Sequence, residues 1–151
     1  MKTIAKAVLV LLFTAAISPA FAQKKKASQK PLFADFPGSV ELSKSMLKSM
    51  MVSKPGQSIS VPFNSKFVFV GKVVSNENKY DNLQSVVIRS NTMGNAVFQL
   101  SKIINKDKSI SYVGRIMNPD ALEVYEIKND VAGNYRLQRV DLDKILQDCS
   151  Y

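Results

Sequence analysis

Apolar positions change period along this chain. From Val40 to Val52 they recur at helical spacing: at about 100° per residue, Val40, Leu42, Met46, Leu47, Met50 and Met51 fall on one half of the wheel. Glu41, Lys44, Ser45, Lys48 and Ser49 take the other half. Ser39 is the expected N-cap, Glu41 suits the positive first turn, and Pro55-Gly56 ends the helix.

Beyond Gly56 the pattern alternates instead. Ile59, Val61 and Phe63 share one face of a short segment in which Pro62 lacks the amide hydrogen of an interior ladder, so this is an edge or a strand end. Lys66–Ser75, Leu83–Ser90, Ala96–Ile104, Ser109–Met117, Ala121–Lys128 and Asn134–Val140 read as strands, rich in β-branched and aromatic residues. Short polar links between them force antiparallel neighbours, because a parallel return needs a crossover of about a dozen residues. Phe67–Val74 and Ser85–Ile88 are apolar on both alternating sets and are expected to be covered on both faces, whereas Tyr135–Arg139 alternates strictly and leaves one face wet. Leu142, Ile145, Leu146 and Cys149 lie at i, i+3, i+4 and i+7 and predict a short C-terminal helix capped by Asp141. The expected fold is therefore mainly β (α+β): an antiparallel meander of six or seven strands forming a curved sheet or partly closed barrel. An N-terminal amphipathic helix packs on it.

Charge and the first residues change the picture next. Lys2 and Lys6 precede an apolar run from Ala7, Ser18-Pro19 breaks it, and Ala20-Phe21-Ala22 supplies the small residues of a cleavage site. That order is a secretory signal peptide over residues 1–22, and the run is too short for a membrane span of about 20 apolar residues. Without the leader, 19 basic side chains face 12 acidic ones. Residues 23–38 read as a basic tail and extended lead-in, with Leu32, Phe33 and Phe36 able to pin it to the core; residues 39–151 form one β-rich domain. Lys24, Lys25, Lys26 and Lys30 carry much of the excess charge, so the folded body is only mildly basic and a nucleic-acid partner is not expected. Weak contact of Lys24, Lys25 and Lys26 with anionic surfaces is the most that tail supports.

Candidate chemistry is sparse. The chain has no His and a single Cys, which excludes His-based triads, imidazole-ligated zinc and any internal disulfide. Cys149 follows Asp148 at a helix C-terminus, where thiolate is disfavoured, and it sits on the apolar face. Met46, Met50 and Met51 match a soft-metal set, but they share the half-wheel of Leu42 and Leu47 and read as core. Glu123 and Glu126 lie three apart in one strand, hence on opposite faces, and the remaining acids sit in turns or caps. Isolated Gly71 and Gly114 point to bulges or close packing, not to a phosphate loop. No cofactor and no metal is expected.

Three arginines give the sharpest binding hypothesis. Arg89, Arg115 and Arg136 come from neighbouring hairpins and point away from the core by alternation, where they form either a site for an anion or scattered solvated charges. The Ser75–Asn82 link, with Tyr80 and Asp81, is the longest candidate contact loop. Together these features point to a small exported, periplasmic or extracellular, non-catalytic binding module with a protein partner, in one version a protease inhibitor. Two alternatives are a carrier or sensor of a small apolar or anionic ligand in a partly closed barrel, and a structural subunit that pairs through an exposed edge strand.

Overall fold

The computed structural model describes residues 33–119 and 123–140. Their alternating segments form one antiparallel sheet of eight strands: β1 (Ser39–Leu42), β2 (Ser58–Pro62), β3 (Val68–Tyr80), β4 (Leu83–Ser90), β5 (Val97–Ile104), β6 (Ile110–Asn118), β7 (Glu123–Asn129) and β8 (Tyr135–Val140). One helix, α1 (Lys44–Met51), joins β1 to β2. In space the order is β1-β8-β7-β6-β5-β4-β3-β2, so β2 to β8 form a meander and β1 is added beside β8. The sheet curls into a half-barrel whose two edges, β1 and β2, are not paired with each other.

Two expectations are corrected at the start of the domain. No helix runs from Val40 to Val52, and the strands number eight, not six or seven. Ser39–Leu42 satisfies a period of two as well as a helical one, burying Val40 and Leu42 and exposing Ser39 and Glu41. Pairing Val40 with Leu137 and Leu42 with Tyr135 gives β8 a neighbour, and that tertiary demand decides the conformation. The N-cap is consequently Ser43, whose hydroxyl accepts from the Met46 N–H at 3.1 Å, and not Ser39. At the other end of α1, the Asn76 and Gln84 amides donate to the Met51 carbonyl at 2.8 and 2.9 Å. These bonds satisfy a helix-terminal acceptor that has no partner within the helix.

Along β3 to β6, Phe69, Val73, Val86, Ile88, Phe98, Leu100, Tyr112 and Ile116 fill the concave side. Leu47, Met50 and Met51 of α1 are buried in the same core. The methionines at 50 and 51 are therefore packing residues, while Met46 is half-buried. The opposite face is a second correction. Val68, Val70, Val74 and Val87 point outward and no described element covers them, so the doubly apolar strands are covered on one side only.

The lead-in from Phe33 to Pro37 closes one end of the half-barrel. Phe36 stacks on Phe67 at 4.4 Å, and Phe33 meets Tyr125 edge-on at 5.4 Å. Tyr125 Oη donates to the Pro37 carbonyl at 2.8 Å and accepts from Arg139 Nε at 3.3 Å. The same guanidinium donates to the carbonyls of Phe33 and Phe36 and lies 5.5 Å from the Tyr125 ring centre. Glu123 accepts from the Phe33 N–H at 3.0 Å. One arginine fork thus replaces the ladder bonds that an irregular segment cannot make.

Curvature comes from two glycines. A Cβ at Gly114 would stand 2.6 Å from the Gln99 carbonyl oxygen, and one at Gly71 would fall on the carbonyl of Arg89. Both lie on the concave side, where a side chain would hold neighbouring strands apart. Gly114→Ala is expected to cost about 2 kcal/mol, read as a lower urea midpoint at unchanged m-value.

Candidate functional site

The two edges differ in what they offer. At the two ends of β2, the Phe63 N–H donates to the Phe67 carbonyl and the Val73 N–H to the Gln57 carbonyl, each at 2.9 Å. Bonded pairs recur at every second residue of an antiparallel ladder, so Ile59 and Val61 bond to Gly71 and Phe69 of β3. Ser58, Ser60 and Pro62 then turn their backbone groups to the free edge. Pro62 therefore ends an edge strand at a position where its missing N–H leaves the β2–β3 ladder intact. By the same reasoning the Arg139 N–H to Gly38 bond at 2.8 Å directs Ser39 and Glu41 to the free edge of β1. There the Glu41 carboxylate stands 3.6 Å from the Arg136 guanidinium. A charge at the edge discourages strand addition. β2 carries none.

Beside the free edge of β2 runs a groove of about 550 Å³ whose opposite wall is α1. Serines at 43, 45, 49, 53, 58 and 60 line it, with Met46, Ile59 and Val61 supplying apolar floor. The helix hydroxyls are turned to their own backbone: Ser49 donates to the Met46 carbonyl at 2.8 Å and Ser53 to the Ser49 carbonyl at 3.3 Å. Their oxygens keep acceptor capacity toward the groove. The wall of β2 offers alternating backbone donors and acceptors. Such a slot fits an extended backbone better than a compact apolar molecule.

The residues singled out by sequence lie elsewhere. Arg89, Arg115 and Arg136 all point to the convex face and are exposed. They do not converge. Arg89 faces Val97, which faces Met117; Arg115 is two residues from Met117, and the same offset separates Arg115 from Arg136. Two strands and two residues amount to about 12 Å at each step. Carboxylates also sit among them, with Glu126 directly across from Arg115 and Glu41 beside Arg136. Tyr80 is exposed at the end of β3 and pairs with Leu83, leaving Asp81 and Asn82 as a tight turn. The supposed contact loop over Ser75–Asn82 is thus mostly strand, because β3 runs for 13 residues.

Sequence reasoning missed Arg139 and the groove serines. Arg139 has the parity of Tyr135 and Leu137, which placed it on the buried face of an alternating strand. That was the available signal. The serines carry no such mark, since their significance depends on which strand becomes an edge.

Among the described residues, three titratable groups depart from their ordinary range. Hydrogen bonds from the Ser109 hydroxyl and N–H hold the Asp107 carboxyl down, and bonds from Asn134 do the same for Asp130. Burial pushes the Tyr112 hydroxyl up. The two aspartates brace hairpin turns, with Lys108 at φ 65° in one and Gly133 at φ 77° in the other. Among the described residues, no cluster of His, Cys, Asp or Glu is arranged to hold a metal ion, and no helix is long and apolar enough to cross a membrane. The leader, the Lys24–Lys26 tail and the C-terminal helix with Cys149 lie outside the described residues. Comparison with known families, curated proteins and solved structures finds no match.

Depressed folded-state pKa values imply that the turn bonds are present above the unfolded carboxyl value and are lost as pH falls through the folded one. NMR titration is expected to give midpoints for Asp107 and Asp130 below that of an unstructured aspartate, and Ser109→Ala to raise the Asp107 midpoint.

Proposed function

We propose that this protein is a small exported, non-catalytic binding module that acts on another macromolecule in the cell envelope or outside the cell. It does so by adding an extended segment of a partner protein to the free edge of β2. The observation that carries this reading is the uncharged edge formed by Ser58, Ser60 and Pro62, set beside an open groove. Strand addition draws affinity from main-chain hydrogen bonds and specificity from alternate side chains. Here one set of partner side chains falls near Ile59 and Val61, and the other beside Ser60 and Pro62. A protease inhibitor is one form of such a module, with the peptidase contributing the added strand.

The carrier reading has less support. It calls for an apolar internal cavity, whereas the interior holds Phe33, Phe67, Phe69, Phe98 and Tyr125, each fully buried. The available groove is half serine.

The decisive variant is Ser60→Pro. It removes an edge donor without touching the β2–β3 ladder, so Tm is expected to move by less than about 4 °C. Affinity isolation with the two forms in parallel is expected to recover a partner with wild type and lose it with the variant. Equal recovery by both places the contact away from β2 and defeats the reading.

A further inference from the structure

We propose that the segment received beside β2 is acidic, an inference that rests on the edge-addition reading above. From Leu42 to Asn76, the stretch that supplies the groove's walls and their connections, the chain carries five lysines and no carboxylate. Glu41 and Glu77 bracket that stretch from either side. All five lysines are exposed. None of them enters an ion pair among the described residues, whereas Lys79, Lys128 and Arg136 each do.

They surround the groove without lining it. Lys48 and Lys54 adjoin the lining residues Ser49 and Ser53, whereas the Lys44 ammonium reaches toward Gly133 in the β7–β8 turn. Lys72 lies directly across the ladder from Ser58. The floor and edge themselves are neutral, so the main-chain bonds form without desolvating an ammonium group, while the surrounding cations raise the local concentration of an anionic strand. A basic or neutral segment gains the hydrogen bonds alone.

The test uses ten-residue peptides that alternate Thr with Glu, Gln or Lys, labelled for fluorescence anisotropy. The Glu peptide is expected to bind at least tenfold more tightly than the Gln peptide, and the Lys peptide more weakly still. Raising salt from about 50 to 300 mM is expected to weaken the Glu peptide at least fivefold, since the contributing charges are exposed. Lys48→Glu with Lys54→Glu is expected to lower its affinity at least tenfold with an unchanged circular-dichroism spectrum. Ser60→Pro is expected to abolish it.

Equal binding of Gln and Glu peptides, both lost in Ser60→Pro, overturns the acidic preference and leaves edge addition standing. Binding of the Glu peptide undiminished by Ser60→Pro reduces the contact to surface charge and overturns the proposal. Failure of every peptide defeats both readings. A photo-cross-linking residue at position 60 checks the occupant: capture of the Glu peptide supports the proposal. Capture of a second copy, or of the chain's own residues 141–151, overturns it.

Discussion

A sheet that is curled but not closed leaves its concave apolar face open along a seam, and the rest of this structure follows from how that seam is covered. Strands cannot do it, because β1 and β2 remain apart. The helix supplies Leu47, Met50 and Met51 from one side, and the Phe33–Pro37 lead-in supplies stacked rings at one end. Burying three such side chains contributes about 1.5–3 kcal/mol each. The irregular lead-in can be buried only because Arg139, Tyr125 and Glu123 bond its backbone. Without those partners its carbonyls and N–H would oppose the burial that the rings favour.

Covering the core from inside the seam has a consequence for the surface. Helix α1 packs over β4 and β5 and adds no strand to the sheet, so β1 and β2 each keep a row of outward backbone groups. Evolution of such an edge usually leads to charge, brevity or proline. Here β1 has a charged residue, while β2 has brevity and a terminal Pro62 but no charge. The two edges therefore differ in charge, and exposed lysines lie around β2.

Much of this architecture was legible in the chain. Segments rich in β-branched and aromatic residues placed β4 to β8 within a few residues of their observed bounds, and short polar links required antiparallel neighbours. Pro62 marked an edge, and Gly71 and Gly114 marked close packing. The reading failed where two periods fit one stretch: Val40 and Leu42 satisfy a helix and a strand equally, and four residues are too few for periodicity to arbitrate. It failed again at Ser75–Asn82, where polar residues resemble a loop but continue a long two-stranded ribbon. The arginines shared a face as alternation required, yet alternation says nothing of the distance between strands.

The candidate site was the least visible part. Alternation and turn chemistry are local, so the chain alone determined which residues face inward, where it turns, that most of it is β structure, and which catalytic groupings it lacks. Which strand lies at an edge, which helix wall stands beside it, and which backbone groups are left without a neighbour depend on contacts between residues far apart in sequence. Those contacts exist only after the sheet has curled and its order is set. Tertiary structure alone could therefore decide that Ser58 and Ser60, unremarked in sequence, line the groove while the more conspicuous arginines do not.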